Sequence, residues 1–324
     1  MKKVSIGIDI GGTNTTIGLV DQDGNVVGHK SILTETHPDY TIYMNTLKIA
    51  INDLVAGCSE SIEVLGIGVG APNGNYYNGT IEFAPNLRFK GVVPVVDCLR
   101  KAYDYPYIIL TNDANAAAMG EMIYGGAKGM KDFIMITLGT GVGSGIVVNG
   151  EMVYGHDGFA GEIGHTIVDP QGRECGCGRR GCLETYTSAP GIKRTVFELL
   201  STMTEHSELR DISFNDLSAK RIDEAARKGD VLALEAFEFT GDILGLKLAD
   251  AVAHTSPEAI FLFGGLAQAG DLLIEPVKRY MEEHMLNIYR DKVKLLPSQL
   301  PPGNAAILGA AALVWKDYMA ETVE

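Results

Sequence analysis

The chain has 324 residues, of which 46% are hydrophobic and 21% charged, enough for two domains of ordinary size with a substantial core. A formal net charge of −14, from 27 basic and 41 acidic side chains, excludes the basic footprint that nucleic-acid binding needs. No uninterrupted apolar run approaches a membrane span, and Asp9 breaks the apolar start behind Lys2 and Lys3, so neither a membrane partner nor an export leader is expected.

Taken in chain order, residues 6–10 predict a strand, Gly11-Gly12-Thr13 a tight turn and Ile17-Gly18-Leu19-Val20 the body of a second strand. The polar turn Asp21-Gln22-Asp23-Gly24-Asn25 leads to a third strand. A helix near 41–56 and strands at 63–69 and 107–111 follow. Another helix starts near Ala114, with Asn112 or Asp113 placed to cap it. The opening pattern then returns. Residues 6–13, IGIDIGGT, align without gaps on residues 134–141, IMITLGTG, and the same offset lays Ile17-Gly18-Leu19-Val20 on Gly145-Ile146-Val147-Val148. The second copy also ends in a polar turn, Asn149-Gly150, before a third strand. Two such units in one chain imply two similar domains. Helical spacing recurs near 188–202, 220–228 and 231–254, and residues 258–263 form an apolar strand after which Gly264-Gly265 opens a helix. Pro301-Pro302-Gly303 breaks the chain before a last helix over 304–319, which is expected to pack back onto the first domain.

The densest chemistry lies in residues 165–182, HTIVDPQGRECGCGRRGC. His165, Cys175, Cys177 and Cys182 offer four donors of the number and type that a closed tetrahedral zinc site requires. With four protein ligands no position is left for substrate water, which makes such a Zn2+ structural. The alternative is ordinary reduced cysteines beside a surface histidine. A Cys175–Cys177 disulfide would be badly strained. Cys58 and Cys98 sit in apolar sequence and read as small core residues. Five cysteines used this way fit a reducing cytoplasm.

Asp9-Ile10-Gly11-Gly12-Thr13 and Gly139-Thr140-Gly141-Val142-Gly143 are the two turns of the repeat. Glycine lets backbone N–H groups approach an anion and threonine adds a hydroxyl, so the pair can clamp nucleotide phosphates, with Asp9 holding Mg2+ through water. A tight hairpin alone would also select these glycines. Asn112-Asp113 stands where a strand runs into a helix, so Asp113 reads either as a base for a substrate hydroxyl or as half of a helix cap. Glu162 and Glu184 bracket the cysteine loop. With His165 they read as hydrogen-bonding partners for a polyol, and Glu162 otherwise as a solvated surface carboxylate. Gly264-Gly265 reads as a backbone seat for adenine or as a simple strand–helix turn.

Asp9-Ile10-Gly11-Gly12-Thr13, Asn112-Asp113, Gly161-Glu162-x-Gly164-His165 and Cys175-x-Cys177-Gly178-x-x-Gly181-Cys182-x-Glu184 together resemble the signature set of the ROK family of repressors and sugar kinases. The resemblance covers essentially the whole chain, and the cysteine segment is its most specific part. It implies an α/β, two-lobed actin-like ATPase (ribonuclease-H-like) fold with an active-site cleft between the lobes. On that fold, residues 1–115 and 304–324 would make the N-terminal lobe. Residues 116–303 would make the C-terminal lobe, with the zinc loop at about 165–184. It further implies an ATP-dependent hexose kinase, most simply a glucokinase. Asp113 would be the catalytic base, and Asn86, Asn112, Glu162, His165 and Glu184 would hold the sugar hydroxyls. Gly12, Thr13, Thr140, Gly141 and Gly265 would contact ATP, and the three cysteines with His165 would bind zinc. Relatives of this kind are often homodimers or homotetramers. The family's repressors carry a helix-turn-helix domain ahead of this core, for which a first phosphate motif at Asp9 leaves no room.

Overall fold

A computed structural model describes residues 1–322. Contacts divide the chain into two compact units, the first formed by Met1–Met130, Met152–Gly161 and the chain from Gln299 onward, the second by Lys131–Glu151 and Glu162–Ser298. The first unit therefore runs past residue 115, the boundary expected from sequence.

In the first unit β1 (Lys2–Ile10), β2 (Asn14–Asp21) and β3 (Val26–Leu33) form an antiparallel meander. Helix α1 (Tyr40–Ala56) starts on Asp39, whose carboxylate accepts the N–H groups of Thr41 and Ile42. It carries the chain over to β4 (Ile62–Ala71), parallel to β1. A small sheet of β5 (Gly74–Asn75), β6 (Thr80–Glu82) and β7 (Val92–Val93) and the short helix α2 (Val95–Arg100) intervene before β8 (Tyr107–Asn112), parallel to β4. The strand order is β3-β2-β1-β4-β8, and α3 (Asp113–Tyr124) follows β8 directly. Ile6, Ile8, Ile67, Val69 and Leu110 are fully buried with Tyr43 and Leu47 of α1. Each such aliphatic or aromatic side chain contributes about 1.5–3 kcal/mol by leaving water. Cys58 and Cys98 pack half-buried against this core.

The second unit repeats the plan. Strands β9 (Phe133–Leu138) and β10 (Val142–Val148) make an antiparallel hairpin, and β11 (Glu151–Met152) lies beside β10. Four helices follow: α4 (Glu184–Thr187), α5 (Ala189–Thr202), α6 (Ala219–Arg227) and α7 (Val231–Thr255). Strand β12 (Ala259–Phe263) returns parallel to β9, and helix α8 (Asp271–His284) leads to β13 (Lys294–Pro297), parallel to β12. The order β11-β10-β9-β12-β13 matches the first sheet strand for strand. Gly264-Gly265 leads first into a 3₁₀ turn, Leu266–Ala269, and only then into α8. The last helix, α9 (Ala305–Thr322), returns to the first unit and packs on β1, β4 and α3. A side chain at Gly68 would lie 1.9 Å from the Ala310 carbonyl oxygen, so the helix can sit on the sheet only where β4 has none.

The repeat is real in topology but not gapless. Ile8 pairs with Ile17 across the first hairpin, whereas Ile136, its counterpart, pairs with Ser144. The second turn is thus one residue shorter, and Ile17-Gly18-Leu19-Val20 corresponds to Ser144-Gly145-Ile146-Val147 rather than to 145–148. Among the described residues no helix is long and apolar enough to cross a membrane.

Candidate functional site

Parallel strands present their carboxyl ends on one edge of a sheet, and in the first unit that edge collects the expected residues. Asp9 pairs with Gly70 of β4, Gly70 with Thr111 of β8, and Ala71 with Asn112. The Asn112 side-chain oxygen accepts the Ala114 N–H at 2.8 Å, and Asp113 Oδ1 shares that hydrogen at 2.9 Å. Asn112 therefore is the cap of α3, and Asp113 is its first residue. The Asp113 side chain still reaches solvent. Even so, the protein atoms packed around it withhold enough water to push its carboxyl above the usual range, against the pull of the Ala114 N–H. Burial, then the charge of Asp113, raises Asp9 from 3.8 to about 6. Gly11, Gly12 and Thr13 turn beside it, and a side chain at Gly12 would meet the Asn86 carbonyl oxygen at 2.8 Å, which sets the exposed Asn86 against that turn.

In the second unit the turn Gly139-Thr140-Gly141 closes with the Gly139 N–H on the Gly141 carbonyl at 3.0 Å. Gly264, at φ +108°, follows β12 alongside, and a side chain there would lie 2.5 Å from the Leu138 carbonyl oxygen. Gly265 begins the 3₁₀ turn with open space above its α-carbon. Glu162, exposed, precedes a 3₁₀ turn over Ile163–His165.

The donor atoms of His165, Cys175, Cys177 and Cys182 lie within 4.8 Å of one another. Cys177 Sγ is 3.6 Å from Cys182 Sγ, and Cys175 Sγ is 3.8 Å from His165 Nδ1. Tetrahedral coordination with metal–sulfur bonds of about 2.3 Å puts donors roughly 3.5–3.8 Å apart, so the residues fit a four-coordinate metal. Burial works against the Cys177 thiolate, but the Arg179 N–H and guanidinium and the neighbouring thiols hold it down at about 6. Burial pushes the Cys175 thiol up to about 12. The His165 ring nitrogen that faces Cys175 Sγ is Nδ1.

Two contributors, both arginines, were not among the residues expected from sequence. Arg173 spans the loop and the helices behind it: it donates to the carbonyls of Thr185 and Gly191, to Thr195 Oγ1 and to Glu198, and stacks 4.5 Å above the Tyr186 ring. Arg179 donates to the His165 carbonyl at 2.8 Å. Glu184, expected on a sugar, also accepts the Val142 N–H through Oε2 at 3.0 Å. Two arginines in a glycine-rich loop were the available signal.

The chain matches the ROK family profile over residues 5–317. It is 36% identical to the glucokinase of Halalkalibacterium halodurans over 317 residues, covering 95% of this chain and 94% of that one. The crystal structure of a ROK family glucokinase from Streptomyces griseus, in complex with glucose and AMPPNP, superposes with a TM-score of 0.79 at 34% identity, over 96% of this chain and 98% of that one. A ROK family transcriptional regulator superposes with a TM-score of 0.85 at 26% identity, over 98% of this chain and 78% of the regulator. Two sheets of one strand order, carrying glycine turns at equivalent hairpins, are the actin-like ATPase fold. With that fold, the His-Cys-Cys-Cys cluster and a family match from the first strand to the last helix, this chain belongs to the ROK family.

Proposed function

We propose that the protein is an ATP-dependent glucokinase that transfers the γ-phosphoryl group of ATP to the O6 hydroxyl of glucose. Asp113 at the carboxyl end of β8, raised in pKa and open to solvent, is the observation that carries this reading. As O6 attacks the γ-phosphorus, its proton passes to Asp113, the bond from phosphorus to the β–γ bridging oxygen breaks, and ADP leaves. Asn112 spends its side-chain oxygen on capping α3 and keeps its amide nitrogen for a sugar hydroxyl. Asn86, Glu162, His165 and Glu184 supply the remaining donors and acceptors, His165 through Nε2.

Asp9, Gly11, Gly12 and Thr13, with Gly139, Thr140, Gly141, Gly264 and Gly265, receive the nucleotide. Asp9 suits a water-mediated contact to Mg2+, which when bound neutralises charge on the phosphates. Three thiols and an imidazole favour zinc over harder ions, and the metal is read as structural. Such a site needs a reducing compartment, in keeping with a cytoplasmic enzyme. The assembly is taken as a homodimer or homotetramer, which light scattering would read directly.

Kinases for mannose, fructose, allose or N-acetylated amino sugars are the alternatives within the same chemistry, and a sugar-sensing regulator is the alternative outside it. A panel of hexoses assayed for ADP release decides among them. Glucose should give the highest kcat/KM; a different preferred hexose would replace glucose as the substrate, and no release with any sugar would favour the regulator.

A further inference from the structure

We infer that the metal-bearing segment also holds the nucleotide turn in shape, with Glu184 as the positioning residue that couples metal occupancy to nucleotide affinity. The inference rests on reading Gly139-Thr140-Gly141 as a phosphate turn.

All of the connections lie within the second unit. The turn is pinned at both ends by the residues that follow Cys182. At one end the Val142 N–H donates to Glu184 Oε2 at 3.0 Å, and at the other the Ala189 N–H donates to the Gly139 carbonyl at 2.9 Å. With the Gly139 N–H turned inward onto Gly141, the amides of Thr140 and Gly141 and the Thr140 hydroxyl are the donors this turn keeps for an anion. The fit against Glu184 is close. A side chain at Gly141 would lie 2.4 Å from Glu184 Oε2, so a larger residue there would displace the carboxylate that holds the Val142 N–H.

Glu184 is in turn placed by the metal loop. The Cys182 carbonyl accepts both the Thr185 N–H at 2.9 Å and Thr185 Oγ1 at 2.7 Å, so the helical turn bearing Glu184 begins on the backbone of a metal ligand. Glu184 Oε1 also lies 3.7 Å from Cys175 Sγ, a second ligand. Upstream, the Ile163 N–H donates to Ser144 Oγ at 3.1 Å, tying the segment before His165 to the same strand, β10. Fixing four donors on one ion therefore fixes the carboxylate that holds the Val142 N–H. Without the ion the segment gains freedom, the turn loses its brace, and the nucleotide must order it on binding.

The test measures affinity for a non-hydrolysable ATP analogue with Mg2+ by calorimetry, in the absence of sugar. Four samples are compared: the metal-loaded protein, the chelated protein, Glu184→Gln and Glu184→Ala, with metal content and melting temperature measured for each. The chelated protein should bind about tenfold more weakly than the loaded one. Glu184→Gln, whose amide oxygen still accepts the Val142 N–H, should stay within about twofold, and Glu184→Ala should weaken about tenfold with its metal retained. Unchanged affinity in Glu184→Ala, or in the chelated protein, would overturn the coupling and leave the kinase reading standing. A loaded wild-type protein that binds no nucleotide would instead overturn the phosphate-turn reading, and the coupling with it.

Discussion

Asp9 and Asp113 lie on the edge formed by the carboxyl ends of β1 and β8, and Gly70 of β4, the strand between these two, pairs with Asp9 on one side and with Thr111, two residues before Asp113, on the other. A side chain at Gly70 would meet Ala116 Cβ at 3.2 Å and Asp113 Cα at 3.7 Å. The empty position keeps the start of α3 close to the sheet and lets the charge of Asp113 be felt at Asp9.

A pH dependence of stability follows. The folded chain holds the Asp9 proton up to about pH 6, against 3.8 for an ordinary aspartate, so it binds that proton more tightly than the unfolded chain does. The resulting stabilisation is complete below the unfolded value and is lost as pH rises through 6. Asp9→Asn mimics the protonated form at every pH. Its melting temperature should therefore exceed that of the wild type by a margin that grows between about pH 4 and 7 and then levels off. A margin that shrinks with rising pH would contradict the assignment.

Cys177→Ala removes one of four donors. Metal content should fall from one ion per chain, and the sugar KM should rise at least about tenfold, because His165 and Glu184 lose their common anchor. Elemental analysis alongside kinetics checks both halves. A wild-type protein that contains no zinc would end this line of argument.

Arg173 offers a prediction that does not involve the metal directly. Its guanidinium is almost wholly buried, satisfies two backbone carbonyls and lies on Tyr186. Arg173→Ala should cost about 2–3 kcal/mol, a drop in melting temperature of roughly 4–12 °C. Lysine should not restore it, since one ammonium cannot take the place of Nη1 on the two carbonyls and also reach Thr195 Oγ1 and Glu198 as Nη2 and Nε do, nor lie flat on the ring. Thermal melts of the two variants read this out.

Much of this architecture was legible in the residues themselves, because period and turn chemistry are local properties. The hairpin at 6–20, helix α1, the cap at Asn112 and the run from α5 to α7 all follow from spacing and capping residues. The one-residue slip between the repeats was not legible: Gly139-Thr140-Gly141 aligns as well with four turn residues as with three, and only strand register separates the two. Nor did sequence indicate that 152–161 rejoins the first unit, where Asn75 donates to the Asp157 carbonyl and Tyr76 stacks on Tyr154 at 3.9 Å. The end of the first unit at 130 instead of 115 has the same origin, since α3 packs on a helix almost two hundred residues away in sequence. The cysteine cluster was visible from composition and spacing. The Glu184–Val142 bond was not, because it joins residues 42 apart through a backbone donor that leaves no mark on side-chain identity.

The most direct measurement follows ADP and hexose 6-phosphate together, with ATP, Mg2+ and glucose, for the wild type and Asp113→Asn. The wild type should form the two products in equal amounts and only when sugar is present. Asp113→Asn should fold, bind glucose with similar affinity and turn over about 10²–10⁴-fold more slowly. ADP formed without sugar, or an Asp113→Asn variant as fast as the wild type, would contradict the account.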